Sequence, residues 1–114
     1  MSSPLKYNCW GKEIDVYFAG LEGENAHDLY LVTVEDGYPE FFCDVCIRLA
    51  AGPPFNPHDG FVKNYSENTG LDKWLEANGI ATPTGVSVRS GYVQVPLYTF
   101  NIEKVREHLY TEEK

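Results

Sequence analysis

The chain has 114 residues, of which 43% are hydrophobic and 14% aromatic, and its formal net charge is −8 at pH 7. This length suits one folded domain, and the apolar content excludes the class of disordered chains, which combine low hydrophobicity with high charge. We therefore expect a single acidic domain over residues 1–114.

The first half of the chain predicts an antiparallel meander of strands joined by short turns. Apolar and polar residues alternate through residues 5–18, which predicts a hairpin. A run of β-forming residues over 28–35 predicts a third strand. The pair Asp36-Gly37 then supplies the turn of a second hairpin.

A fourth strand is predicted over 41–49, with Phe41 and Cys43 on the same face. Three prolines and two glycines make 51–60 a loop, in which Phe55 either plugs the core or projects as an anchor for a partner. The later elements, in order, are a short strand at 61–65, a helix at 70–78, a turn at 81–85, a strand at 91–100 with an edge or bulge position at Pro96, and a helix at 102–109. The predicted fold class is α+β, with an antiparallel sheet of about five strands and two short helices in a single domain.

No segment reaches the roughly 20 apolar residues of a membrane span, and the first residues lack the pattern of a secretory leader. We therefore expect the protein to stay in the cytoplasm of the cell that makes it, with no membrane partner. The odd number of cysteines, Cys9, Cys43 and Cys46, favours reduced thiols. Since strand positions three apart point to opposite faces, Cys43 and Cys46 should diverge, and we predict no metal and no cofactor.

A small Cys/His enzyme is one alternative. His27-Asp28 and His58-Asp59 each place an imidazole beside a carboxylate, and Cys9 is a candidate nucleophile. Adjacent side chains seldom face each other, however, and no motif supplies an oxyanion hole. We therefore predict no catalytic residue and no enzyme.

Carboxylates are concentrated in one segment of the chain. Residues 13–47 contain nine carboxylates and no lysine or arginine, whereas the signs nearly balance from Arg48 onward. Direct binding to nucleic acid is therefore disfavoured, because phosphates require a basic footprint, and a basic protein surface is the expected partner. The carboxylates form either a solvated face or a functional face that imitates phosphates. The side chains predicted to contact a partner are Glu13, Asp15, Asp28, Glu35, Asp36, Glu40 and Asp44, together with Tyr17, Tyr30 and Tyr38.

Several segments resemble an uncharacterised family of short proteins from gut bacteria and their phages or mobile elements. These segments are Trp10-Gly11-Lys12, residues 36–40, residues 74–79, Pro83-Thr84-Gly85 and residues 90–101. They consist of turn glycines, prolines and aromatic residues, so the resemblance carries over no catalytic residue. The resemblance implies that the protein inhibits a nucleic-acid-handling defence complex of the host. The inhibition would be of the anti-CRISPR or anti-restriction kind, and an acidic face of the protein would mimic nucleic acid.

The other alternative is a structural or self-assembling accessory protein. In that hypothesis the strand over 91–100 is the edge of its sheet and pairs with a second copy of the chain. Both a monomer and a homodimer therefore stay open.

Overall fold

The computed structural model describes residues 3–50 and 52–111, which form two four-stranded antiparallel sheets and two short helices. Ala51, the first residue of the predicted loop, and Met1 and Ser2 of the N-terminal segment lie outside the described residues. The α+β class, the antiparallel pairing and the two helices are confirmed. The described strands, however, divide into two sheets instead of forming one sheet of about five strands.

The first sheet is the predicted meander. Its strands, in spatial order, are β1 (Leu5–Cys9), β2 (Lys12–Ala19), β3 (Tyr30–Glu35) and β4 (Tyr38–Asp44). β2 pairs with β1 from Lys12 to Val16, but it pairs with β3 only through Tyr17, Phe18 and Ala19. The β1–β2 and β3–β4 hairpins thus share three residue pairs, and no strand pairing joins their tips.

Both hairpins of this sheet turn through two residues with positive φ, as a type I′ turn requires. In the β3–β4 hairpin these are Asp36 and Gly37, with φ of 52° and 82°, a pair of residue types that this turn favours. In the β1–β2 hairpin they are Trp10 and Gly11, with φ of 56° and 80°. A bulky L residue in this conformation costs about 1 kcal/mol. The conformation of Trp10 is therefore not one that its own side chain favours.

The predicted fourth strand over 41–49 is wrong at its centre. β4 ends at Asp44, and the next two-residue strand, β5 (Cys46–Ile47), belongs to the second sheet. The chain changes sheets at this point because the backbone N–H groups of Val45 and Cys46 both donate to the Leu29 carbonyl oxygen, at 3.0 and 2.9 Å. The alternation of apolar and polar residues along the sequence did not reveal this break, because Val45 and Cys46 are both apolar residues that become buried.

The second sheet has the order β5, β6 (Asp59–Val62), β8 (Val93–Phe100) and β7 (Ala81–Ser90). The turn predicted at 81–85 is wrong, because β7 runs through it. Proline and glycine, here Pro83 and Gly85, are generally disfavoured in strands. However, β7 is an exposed edge strand with a register irregularity between Pro83 and Ser87. An edge strand with a bulge tolerates both residue types.

Of the two alternatives predicted for the strand over 91–100, the edge position is wrong, since β8 lies between β6 and β7, whereas the bulge is confirmed by the register irregularity that ends at Ser87, the partner of Pro96. Pro96 nevertheless occupies a local edge. It pairs with Ser87 of β7, whereas β6 pairs only with the segment from Leu97 to Thr99. The missing N–H of Pro96 therefore interrupts no ladder on the β6 side.

The helices α1 (Leu71–Ala77) and α2 (Ile102–Glu107) complete the core between the sheets. α1 buries Leu71 and Leu75, and its Trp74 donates from Nε1 to the Lys6 carbonyl oxygen of β1 at 2.8 Å. After α2 the chain returns to β2, where Phe18 exchanges backbone hydrogen bonds with His108 and Tyr110 at 2.8 Å each. The C-terminal segment is thereby tied to the first sheet.

Gly60 of β6 is a position where the core leaves no room for a side chain. A Cβ there would lie 2.6 Å from Cys46 Sγ and 3.2 Å from the Ala26 carbonyl oxygen, and the backbone does not have a positive φ. We expect Gly60→Ala to lower the free energy of unfolding by about 1–3 kcal/mol, as overpacking does, measured by urea denaturation. In a Cys46→Ala background the loss should be smaller, and strictly additive losses would contradict a direct contact with the sulfur.

Candidate interaction surface on the β3–β4 hairpin

The distal half of the β3–β4 hairpin is exposed at every position from Val34 to Phe41, and we call this segment the acidic hairpin. It includes two large aromatic side chains that are mostly in solvent, Tyr38 at 74% and Phe41 at 63% exposure. It also includes three carboxylates, Glu35, Asp36 and Glu40, none of which forms a salt bridge with a described residue.

The register of the acidic hairpin separates apolar from charged side chains. Cross-strand partners lie on the same face of a sheet, so the pairs Val34↔Pro39 and Val32↔Phe41 form one face. The pairs Glu35↔Tyr38 and Thr33↔Glu40 form the other face. The acidic hairpin is therefore amphipathic, with an apolar outer face and an acidic inner face.

The apolar face continues onto the body of the first sheet, on the side away from the core. Tyr17 pairs with Val32, which is only 4% exposed, and Val32 pairs in turn with Phe41. The Tyr30 ring lies 5.7 Å from the Phe41 ring, and the Tyr17 ring lies 6.1 Å from that of Tyr110. Tyr17 and Tyr30 are half-buried members of this aromatic surface.

Four of the ten side chains predicted to contact a partner lie in the acidic hairpin: Glu35, Asp36, Tyr38 and Glu40. Two others, Glu13 and Asp15, lie on β2 in the neighbouring hairpin, where Asp15 forms an ion pair with Lys6. This ion pair raises the pKa of Lys6.

The last two predicted carboxylates, Asp28 and Asp44, are far from the tip of the acidic hairpin. Asp28 precedes β3 and accepts hydrogen bonds of 2.7 and 2.6 Å from the Arg48 guanidinium, which lowers the pKa of Asp28. Asp44 pairs with Tyr30 at the opposite end of β4. The fold therefore does not bring the predicted carboxylates together on a single face.

A cleft of about 390 Å³ lies between the two edge strands of the first sheet. It is lined by residues 7–10 of the β1–β2 hairpin, by Phe42 and Cys43 of β4, and by Asn68 and Thr69. The Tyr7 and Phe42 rings contact each other edge to face at 5.5 Å, which brings the two edges of the curled sheet together. Burial raises the pKa of Tyr7, and the nearby Cys43 and Cys9 add to this shift.

The candidate catalytic groups are dispersed. Cys9 lines the cleft, but none of the three histidines does. His27 contacts the Asn56 carbonyl oxygen through Nε2 at 3.1 Å, and His58 contacts Glu24 through Nε2 at 3.1 Å. Within residues 3–50 and 52–111, no three His, Cys, Asp or Glu side chains are grouped so that they could hold a metal ion. No nucleophile and base are paired around Cys9.

Phe55 projects into solvent, which settles the alternative that the sequence left open in favour of projection over a core plug. The loop that carries it is fixed to the body of the protein. Ala26 donates its N–H to the Pro57 carbonyl oxygen at 2.8 Å, and His27 contacts the Asn56 carbonyl oxygen through Nε2 at 3.1 Å.

Sequence reasoning missed the exposure of Phe41 because strict alternation places it on the same face as Cys43. A register irregularity between Leu31 and Val32 pairs Cys43 with Leu31 and Phe41 with Val32, on opposite faces of the sheet. The consecutive aromatic residues Phe41 and Phe42 were the signal in the sequence, because two such residues in a row break the alternation.

The family model described as Domain of unknown function (DUF4313) matches residues 18–113, so the chain belongs to this family. The matched region includes the acidic hairpin, both helices and all of the second sheet. No curated protein and no solved structure matches the chain. Among the residues that the structure describes, no helix has the length and apolar character needed to cross a membrane.

The three cysteines should differ sharply in reactivity. Cys9 is half-buried in the cleft, whereas Cys43 and Cys46 are buried, and burial raises the pKa of Cys46. Because the thiolate is the reactive form, we expect one thiol to react with a disulfide reagent in the native state, at least about tenfold faster than the other two. A Cys9→Ser variant should lose this fast phase, and a fast phase that persists would contradict the assignment.

Proposed function

We propose that this protein is a binding protein that docks the acidic hairpin onto a basic surface of another protein. The observation that carries the proposal is the run of eight exposed residues from Val34 to Phe41, in which the unpaired Glu35 and Glu40 share one face with Tyr38 and the apolar face presents Phe41. Solubility alone calls for the carboxylates but not for Tyr38 and Phe41 beside them.

Each part of the acidic hairpin contributes something different to binding. Burying a side chain such as that of Phe41 contributes about 1.5–3 kcal/mol, so the aromatic residues supply affinity. The carboxylates Glu35, Asp36 and Glu40 attract a basic surface over a longer range, which speeds association and makes it sensitive to salt. Because both strands are hydrogen-bonded to each other, the hairpin is already ordered before binding.

The partner that we propose is a nucleic-acid-handling defence complex in the cytoplasm of a bacterial host, with the protein encoded by a phage or mobile element. A complex of this kind must present a basic channel to phosphates. An acidic protein with a net charge of −8 that projects unpaired carboxylates has the complementary charge. In this proposal the protein inhibits the complex, in an anti-CRISPR or anti-restriction role, by occupying the channel in place of nucleic acid.

The alternatives receive less support. Self-pairing through 91–100 would require an edge strand, and β8 lies inside its sheet. The actual edge strand, β7, is interrupted by Pro83 and by the bulge that follows it, both of which discourage edge-to-edge pairing. A Cys/His enzyme would require a histidine near Cys9, and no histidine lines that cleft.

Reversing the charge of the acidic hairpin tests the proposal. We expect Glu35→Lys/Glu40→Lys to lose at least about tenfold in affinity for the proteins that the wild type retains from host lysate at low salt, since two attractive charges become repulsive. Binding is measured by pull-down and then by titration of the retained protein. The control Glu22→Lys/Glu107→Lys changes the net charge equally, from −8 to −4 by two reversals of +2 each, at two exposed positions outside the hairpin.

An equal loss in both double variants would mean that only the total charge matters, and it would contradict docking through the acidic hairpin. Asp36 is left unchanged in these variants because its positive φ in the turn would confound the effect of charge with backbone strain.

Truncating the apolar face should separate binding from stability. Phe41→Ala is expected to weaken binding of the retained protein by more than about 1 kcal/mol, because an exposed aromatic side chain is buried only in the complex. The free energy of unfolding should change by less than about 1 kcal/mol, since Phe41 is mostly in solvent. A large loss of stability with unchanged affinity would assign Phe41 to the fold and not to the interface.

A further inference from the structure

The cleft between β1 and β4 has firm aromatic walls. The Tyr7 ring lies 5.5 Å from Phe42 and 5.1 Å from Trp74, edge to face in both cases. Trp74 is itself held by its hydrogen bond to the Lys6 carbonyl oxygen at 2.8 Å. The volume of about 390 Å³ falls within the roughly 300–1,000 Å³ typical of ligand pockets. The walls are therefore formed before anything enters the cleft.

Three polar side chains of the cleft each form a local hydrogen bond. Asn8 Oδ1 accepts from the Gly11 N–H at 3.1 Å, and Asn68 Nδ2 donates to the Asp44 carbonyl oxygen at 2.6 Å. Thr69 donates from Oγ1 to the Ser66 carbonyl oxygen at 2.8 Å. A molecule in the cleft would therefore contact mainly aromatic carbon and sulfur atoms.

The cleft also offers no charge to a charged occupant. Among the lining residues that the structure describes, none is an Asp, Glu, Lys, Arg or His. Lys12 lies directly opposite Cys9 in the β1–β2 register and is exposed. Since burial of an ion without a counter-charge is costly and Lys12 would repel a cation, a guanidinium or ammonium group is a poor occupant. The chemistry of the walls selects an uncharged aromatic group, which can stack on them or meet them edge to face.

Trp10 indicates where this aromatic group comes from. Its side chain lines the cleft, yet it is 98% exposed and sits in the costly positive-φ conformation at the turn. A small molecule confined to the cleft would leave most of the indole in water. A protein surface that inserts one side chain into the cleft covers the indole as well, and tryptophan is one of the residue types enriched among interface hot spots.

We propose that the cleft is an anchor site that receives an aromatic side chain of the partner protein, with Trp10 closing over it. This inference rests on the proposed function, because it assumes a partner already drawn to the first sheet by the acidic hairpin. The cleft supplies a neutral, shape-dependent contact beside a charged one. Its contribution should therefore be insensitive to salt.

Side-chain analogues test the chemistry of the cleft without any partner. We expect p-cresol to shift the backbone amide resonances of Asn8, Cys9 and Thr69 and the indole N–H of Trp10 saturably, with a dissociation constant on the order of 1 mM. 1-Propylguanidinium should cause no saturable shift at these positions. Absence of a saturable response to p-cresol, or an equal response to the guanidinium, would overturn the inference.

Cys9→Phe fills the cleft, and Val86→Phe, at an exposed position of β7 that does not line the cleft, is the control for adding a phenyl ring. We expect Cys9→Phe to weaken binding of p-cresol at least about tenfold and to weaken binding of the retained host protein similarly, whereas Val86→Phe changes both by less than about twofold. Thr69→Trp, which blocks the opposite wall, serves in place of Cys9→Phe if that variant loses its native spectrum. If a filled cleft still binds the host protein as the control does, the cleft is not the anchor.

The two proposals can fail separately. Glu35→Lys/Glu40→Lys should leave p-cresol binding unchanged while it abolishes capture of the host protein. If the wild type does not bind p-cresol but its capture of the host protein depends on the charge of the acidic hairpin, the anchor site alone is rejected. If p-cresol binds as expected but charge reversal in the acidic hairpin does not change capture of the host protein, the proposed function is rejected instead.

Discussion

The two backbone hydrogen bonds that the Leu29 carbonyl oxygen accepts decide how the rest of the molecule is arranged. Leu29 is completely buried, and the N–H groups of Val45 and Cys46 that reach it have no water to bond with instead. Unpaired donors at such a position would cost about 1–3 kcal/mol each, so the chain bends here and leaves the first sheet. The neighbouring backbone is held as well, since Lys63 donates its N–H to the Val45 carbonyl oxygen at 2.9 Å.

This bend determines which surfaces are covered. From Cys46 onward the chain builds the second sheet, and side chains of both helices join the same buried core as the first sheet. Tyr17, Val32 and Phe41 lie on the outer face of the first sheet, away from that core. Aromatic residues on that outer face, such as Tyr17 and Phe41, are left at the surface. The acidic hairpin extends from the same sheet and adds unpaired carboxylates beside them.

In the binding that we propose, the two hairpins of the first sheet would combine affinity with electrostatic steering. The acidic hairpin has an apolar face that includes Phe41 and an opposite face on which Tyr38 lies beside Glu35, and its own sequence favours its turn. The β1–β2 hairpin has a turn that its sequence disfavours, because Trp10 occupies a conformation better suited to Asn, Asp or Gly. The fold tolerates a conformational cost of about 1 kcal/mol at this turn. The exposed indole can gain further contacts only from another molecule. Both hairpins therefore suit the recognition that we propose, one through charge and the other through shape.

By itself, the sequence determined the hairpins, the helices, the α+β class and the acidic character, because these depend on turn chemistry, periodicity and composition over a few neighbouring residues. Asp36-Gly37 turns as its residue types require, and Leu71 and Leu75 bury one side of a helix as their spacing indicates. The division into two sheets came from a carbonyl 16 residues before Val45, a contact that alternation cannot register. Strand order placed β7 rather than β8 at the edge, and a bulge moved Phe41 to the outer face. Ion pairs with Lys6 and Arg48 then removed Asp15 and Asp28 from the free carboxylates. Only tertiary structure could decide which charges stay unpaired and which aromatic residues stay uncovered, because both depend on partners distant in the chain.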